Sequence, residues 1–331
     1  MMSQKVLMLP GDGIGPSVIE SAEQVLAAVA PSVEIVHGMV GRSAYESTGL
    51  YLPHETRDLL DECNVVLSGP SLQPETGSNP LTTLKVQLDL FARTRHFRTL
   101  APDLGPEGVD VVLWGSNNNV ASEITEVQDL DGIDLRKYIK NNAYSRMIKL
   151  ALSDVEAREL KKITCLIRSD FYPISSEKFK ETFESMFSEK DYETRVMNVK
   201  DWAARISKDP GHDQCIICID LYSHVVAGFL GGLTGYDHLN PTCYMGDEYK
   251  MYQPRHKALV GGLREGYVNP TSFILSAADI LRDFNMTKES NAVVEAVRQT
   301  YLANERTPDV GGGLTTTGFT ARILDRLNIQ N

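Results

Sequence analysis

The sequence predicts an α/β fold with helices on both faces of a sheet, and three observations carry that expectation. Apolar strand-like runs alternate with helical segments along most of the chain. The first run, "KVLML", opens into a glycine-rich turn, "LPGDGIGP", which leads directly into a helical pattern. A length of 331 residues is enough for a large core and for two lobes.

The elements follow in order. "PSVIESAEQVLAAVA" has helical periodicity with Pro at its start. "VEIVHGMV" reads as a strand, "LPHETRDLLDEC" as a helix and "NVVLSGP" as the strand after it. Next come the strand "VDVVLWG", the amphipathic helix "KNNAYSRMIKLALSDVEAREL" and the strand "KITCLI". A helix around "EKFKETFESMF" and the strand "CIICID" complete the alternation, and helices fill the C-terminal part. There is no internal repeat, low-complexity tract or long linker. Phe171, Tyr172, Phe179 and Phe183 fall near helical spacing and are expected in the core.

Composition excludes several classes. The 33 Lys and Arg against 44 Asp and Glu give a net charge of −11, with no long basic run, so nucleic acid is not the expected partner. No stretch approaches the ~20 apolar residues that cross a bilayer, and no secretory signal is expected. Five cysteines without a framework suit a reducing compartment, so the expected location is cytoplasmic. Cys215 and Cys218 have the spacing of a metal or redox pair. They sit in an apolar run where residues three apart face opposite ways, which favours packing.

The alternate glycines Gly11, Gly13 and Gly15 do not match the G-x-G-x-x-G fingerprint, so alone they indicate only a tight strand-to-helix turn. In company they say more. "LPGDGIGP" before a helix resembles the start of the isocitrate and isopropylmalate dehydrogenases, the metal-dependent β-decarboxylating dehydrogenases. "GPSLQPETGSNPLTTLKVQLDLFARTRHFR" resembles their substrate segment, and "IDLYSHVVAGFLGGLTG" a helix that carries metal-binding aspartates. "YVNPTSFILSAADIL" and "RTPDVGGGLTTTGFTARILDRL" are similar to the cofactor segment and the C-terminus. The resemblance covers almost the whole chain. It implies a two-lobed fold with a sheet between helices in each lobe. Residues 1–98 with 246–331 form the large, nucleotide-binding lobe, and 99–245 the small, dimer-forming one.

The resemblance also implies a chemistry. A divalent metal chelates a 2-hydroxy acid, a lysine and a tyrosine move protons, arginines clamp the carboxylates, and NAD or NADP takes the hydride. Lys85 and Arg95 occupy two clamp positions, while Gly115 and Ser116 stand where a third arginine and a glutamate are expected. The lysine position is Arg168, which stays protonated to about pH 12 and cannot shuttle protons. No tyrosine occurs between Tyr51 and Tyr138, so the relay tyrosine is missing. The metal aspartates give way to Asn198, or a displaced Asp201, and to His224, which weighs against bound Mg²⁺ or Mn²⁺. Gly11, Gly13, Gly15, His256, Asn269 and Asp309 match cofactor-binding positions.

The expected protein is a divergent relative, catalytically impaired or re-purposed, that binds a small carboxylate or other anion, a nucleotide, or both between its lobes. It is expected as a homodimer or as a hetero-oligomer with an active relative. The competing reading is an active NAD-dependent dehydrogenase for an unusual 2-hydroxy acid. Its rebuilt metal site would use Asp220 and His224, four residues apart on one helical face, with Asp201 or Asp170 nearby. A neutral, packed His224 is the plainer alternative. Arg93 and Arg98 either bind an anion or lie solvated at the surface. The segment "GDEYKMYQPRHK", with Asp247 and Glu248, is expected as a solvated loop, and Asp237, His238 and Cys243 have no recognised ligand spacing.

Overall fold

A computed structural model describes residues 4–188, 191–219, 222–258 and 266–329. The first half of the fold comprises β1 (Lys5–Leu9), α1 (Gly15–Val29), β2 (Glu34–His37), α2 (Arg42–Thr48), α3 (His54–Asp58), β3 (Val65–Ser68), α4 (Pro80–Gln87), β4 (Ala92–Arg98) and β5 (Asp110–Ser116). The middle comprises α5 (Asn118–Ala121), β6 (Ser122–Gln128), β7 (Ile133–Ile139), α6 (Ala143–Ala157), β8 (Lys162–Ile167), α7 (Pro173–Phe187), β9 (Glu193–Asn198), α8 (Val199–Ile206) and β10 (Cys215–Cys218). The last part comprises α9 (Ser223–Leu233), β11 (Thr242–Met245), β12 (Lys250–Tyr252), α10 (Thr271–Asp283), α11 (Thr287–Leu302) and α12 (Thr316–Ile329).

Ten strands form one sheet in the order β2-β1-β3-β12-β11-β4-β5-β10-β8-β9, while β6 and β7 pair separately. Two parallel blocks, β2 to β12 and β5 to β9, are joined through antiparallel pairings of β11 and β4. The parallel strands "VVLS" and "CIIC" are buried along their whole length, as strands covered on both faces must be. Cys215 and Cys218 are therefore packing residues, and all five cysteines are buried, with no disulfide among the described residues.

Helix α10 explains why the C-terminal part is helical. Phe273, Ile274, Ala277, Ala278, Ile280 and Leu281 are all at most 1% exposed. At about 1.5–3 kcal/mol for each large buried side chain, this helix contributes heavily to the core. It packs on α1 and α11, and α1 packs on α12.

Several expectations need correction. "LPHETRDLLDEC" is not one helix but α3 followed by a 3-10 turn over Leu59–Asp61. Phe179 and Phe183 are core residues, but Phe171 and Tyr172 precede α7 and are exposed. The loop expected after Met245 contains β12, pinned by Lys250 and the Tyr252 hydroxyl donating to Asp283 at 2.7 and 2.6 Å. Arg93 is not solvated: β4, "ARTRHFR", is buried from Ala92 to Phe97 despite its charge.

The turn after β1 shows how backbone conformation builds the edge of the cleft. Gly11 and Gly13 have φ of +71° and +61°, which residues with a side chain rarely adopt. A Cβ on Gly11 would lie 2.2 Å from the Pro70 carbonyl oxygen. Replacement of Gly11 by Ala is expected to destabilise the protein by more than about 1 kcal/mol, read from urea unfolding. An unchanged midpoint would mean that this turn is not held against Pro70.

Candidate functional site

Ligands of open α/β sheets sit beyond the carboxyl ends of the strands, and the notable side chains gather there. The turn after β1 is locked to the one after β3 by Asp12, which is 5% exposed. Its backbone N–H donates to Pro70 O at 2.7 Å. Its carboxylate accepts from the N–H groups of Leu72 at 2.7 Å and Ser43 at 3.1 Å. Asp12 lies inside the glycine motif, but its positioning role is visible only in three dimensions.

The second group is cationic. Residues two apart on a strand share a face, so β4 turns Arg93 and Arg95 the same way. Arg95 is 1% exposed, and its Nη2 donates to Asp237 Oδ1 at 2.6 Å. Its Nε and Nη1 are buried and have no hydrogen-bond partner among the described residues. Arg93 donates through Nη2 to the Ser223 hydroxyl at 3.1 Å, and its Nη1 lies 3.1–3.2 Å from the ring nitrogens of His224. Lys85, on α4, is buried with Nζ 3.7 Å from the centre of the Tyr244 ring. Burial pushes the Lys85 ammonium below its ordinary pKa. Burial opposes ionisation of Tyr244 too, but Lys85 and Arg93 outweigh it and pull the phenol below its ordinary value.

The expected metal pair fares differently. Asp220 lies outside the described residues. A metal held on His224 would stand next to the Arg93 guanidinium, so this ring does not suit a divalent cation. Among the described residues no three His, Cys, Asp or Glu side chains are grouped to hold a metal ion. Asp170, offered as a ligand, pairs instead with Arg168 Nε at 2.8 Å. Arg168 also stacks on Phe171 and Tyr222, with its charge 4.6 and 5.3 Å from those rings. Gly115, at a clamp position, faces α9 so closely that a Cβ would lie 2.7 Å from that of Ser223.

A third group joins residues far apart in sequence. Asn269 Nδ2 donates to Asp309 Oδ2 at 3.0 Å, and its Oδ1 accepts from the Thr271 N–H at 3.0 Å. Asp309 Oδ2 also lies 2.7 Å from His238 Nε2. Burial would raise the Asp309 pKa, but hydrogen bonds from His238, Thr307 and Asn269 bring it below the usual carboxylate value. His256 packs between His238 and Phe273, with ring centres 5.8 and 5.5 Å away, and its Nε2 lies 3.2 Å from the Ser272 hydroxyl. Burial, reinforced by His238, lowers its pKa to about 4. The expected trio His256, Asn269 and Asp309 is thus one cluster, and His238 is the member that sequence spacing missed. The residues following it in the chain, 259–265, lie outside the described ones.

Comparison with known proteins gives a consistent result. A family model described as isocitrate/isopropylmalate dehydrogenase matches residues 5–325. The chain is 26% identical over 330 residues to a 3-isopropylmalate dehydrogenase of Methanothermobacter thermautotrophicus, covering 99% of each protein. It is 28% identical over 336 residues to an isocitrate/homoisocitrate dehydrogenase of Thermus thermophilus, covering 98% of this chain and 99% of the relative. A crystal structure of a β-decarboxylating dehydrogenase from Thermococcus kodakarensis superposes with a TM-score of 0.88 at 22% identity, covering 98% and 96% of the two chains.

His256 generates a pH prediction. Its folded pKa lies below the ordinary 6.5, so as pH falls from 6.5 towards 4 the unfolded chain gains a proton that the folded one does not. Stability is therefore full above pH 6.5 and declines below it. Asp309 acts in the same direction, but only as pH falls below its ordinary 3.8. Replacement of His256 by Asn is expected to shrink the decline above pH 4 by on the order of 2 kcal/mol, measured by urea unfolding across pH.

Proposed function

The chain belongs to the isocitrate/isopropylmalate dehydrogenase family, and from that premise we propose that it binds a small carboxylate between its lobes without the family's metal-assisted β-decarboxylation. The observation that carries this reading is Arg95. A fully buried guanidinium with two unpartnered donors is costly to maintain, and an anion in the cleft would satisfy them. Arg93 and Lys85 add positive charge on the same face. The lysine position holds an arginine engaged by Asp170, and the His224 position faces a guanidinium, so neither supports the family's metal-dependent step.

A nucleotide belongs to the same reading. The cluster of His256, Asn269, Asp309 and His238, with the turn of Gly11, Gly13 and Gly15, suits the adenosine part of NAD or NADP. When bound, such a cofactor supplies a hydride acceptor. The lobes are 1–98 with 246–331, and 99–245. Apolar side chains left exposed on β6 and β7, Ile124, Val127, Ile133 and Leu135, together with Val225 and Phe229 on α9, support pairing with a second copy or a related subunit. Among the described residues no helix is long and apolar enough to cross a membrane; the proposed cytoplasmic location rests on the five buried cysteines, which suit a reducing compartment.

The test is isothermal titration with malonate as the probe, with and without Mg²⁺. Wild type is expected to bind equally in both conditions. Replacement of Arg95 by Met should weaken binding at least about tenfold, the effect of losing a charged hydrogen bond. Binding that requires Mg²⁺ would restore the metal-dependent reading. Sedimentation is expected to show a dimer, and Ile124→Lys with Leu135→Lys to shift it towards monomer.

A further inference from the structure

Residues alternate across a strand, so β4 turns His96 and Arg98 away from the face that carries Arg93 and Arg95. On that opposite face lies a cavity of about 330 Å³, at the amino-terminal ends of β5, β8 and β10. Three guanidinium groups line it, each from a different element: Arg98 ends β4, Arg158 follows α6, and Arg282 sits in the last turn of α10. Two of them are matched by carboxylates. Arg98 donates through Nε to Asp110 at 3.1 Å, and Arg158 donates through Nε to Asp154 at 2.7 Å, with Asp279 3.6 Å from its Nη2. Arg282 has only neutral partners among the described residues. Its Nη2 donates to Asn291 Oδ1 at 3.1 Å and approaches the Ser290 hydroxyl at 3.5 Å, and its Nε is buried with no partner. Burial, then the facing Arg158, holds the Arg282 pKa below its ordinary value. Burial opposes the charge of Arg158 too, but there Asp154 and Asp279 outweigh it and raise the pKa.

The geometry points to this cavity as a second anion site, which takes a small phosphomonoester and pairs its phosphate with Arg282. One guanidinium in the wall lacks a counter-charge, and a bound phosphate supplies it. Cations carried on three elements surround an oxyanion instead of gripping one edge of it, which suits a tetrahedral phosphate more than a flat carboxylate. Gln214 adds a further polar group: its Oε1 accepts from the N–H groups of Lys161 and Lys162, which leaves its Nε2 as a donor. Asp110 does not bar the anion, because His96 and Arg98 already engage its two carboxylate oxygens. The rest of the wall is apolar, with Val112, Leu160 and Val294. The volume falls at the lower end of the range of small-molecule pockets, about 300–1,000 Å³, so an organic group has room beside the phosphate. The site lies on the other face of β4 from Arg95 and stands independently of the carboxylate-binding reading.

The experiment is isothermal titration of the full chain with ribose 5-phosphate and with inorganic phosphate, in wild type, Arg282→Gln, Asn291→Asp and Arg95→Met. Wild type is expected to bind ribose 5-phosphate more tightly than inorganic phosphate. Arg282→Gln should weaken ribose 5-phosphate at least about tenfold, the effect of losing a charged hydrogen bond. Asn291→Asp should weaken it by a similar factor, because it places a carboxylate where the amide oxygen already accepts from Arg282. The same substitution gives Arg282 its counter-charge within the protein, so its urea midpoint should rise, and misfolding cannot then account for the lost binding. Arg95→Met should leave ribose 5-phosphate affinity within about twofold of wild type, since that side chain is on the other face. No binding of ribose 5-phosphate to wild type would overturn the proposal. Binding lost in Arg95→Met and kept in Arg282→Gln would overturn it by placing the phosphate on the Arg95 face. Inorganic phosphate bound as tightly as ribose 5-phosphate would overturn the assignment to a phosphomonoester.

Discussion

Strand β4 runs between β11 and β5 with Arg93, Arg95 and His96 all less than a tenth exposed, and positive charge at that depth must be compensated. The elements around it are arranged to that end. Helix α9 brings Ser223 and His224 to Arg93, and the 3-10 turn beyond it brings Asp237 to Arg95. The strand sits where the two parallel blocks of the sheet meet.

The two faces of β4 meet this demand differently. On one, His96 lies 2.5 Å from Asp110, which Arg98 also contacts at 3.1 Å. Arg158 pairs there with Asp154 at 2.7 Å and approaches Asp279 at 3.6 Å. Burial opposes ionisation of Asp110 and Asp279, yet the neighbouring cations hold both well below the ordinary carboxylate range. That face is an ionic network that also lines a cavity, with His96, Arg98, Asp110 and Arg158 in its wall. On the Arg95 face Arg95 pairs with Asp237, and among the described residues two of its guanidinium nitrogens have no hydrogen-bond partner. The two faces thus differ in how their charge is met: by several protein carboxylates on one, and in part by Asp237 on the other.

Much of the frame is legible in the sequence because the strands buried on both faces are continuous apolar runs and the helices are amphipathic. What escapes are elements whose burial contradicts their composition. "ARTRHFR" looks like a solvated segment, yet it is central because ion pairs and an aromatic contact under Arg95 replace apolar packing. "KMY" is too short to show periodicity and is held by Asp283 from α10. At the site, His256, Asn269 and Asp309 are expected only from resemblance to the family's segments, and no local pattern marks them. His238 and Tyr244 could not be placed, because their partners are 71 and 159 positions away in the chain.

Position 115 is constrained by the backbone around it and not only by its own side chain. Gly115 ends β5 against the first turn of α9, and any side chain there would meet Ser223. Ser223 in turn accepts from Arg93, and the neighbouring His224 ring lies against the same guanidinium. An arginine at 115 would have to displace the helix that fixes Arg93. Gly115, Ser223, His224 and Arg93 are therefore packed as one unit across β5, α9 and β4. A substitution at any one of these positions would be felt by the others, because they share contacts and a hydrogen bond.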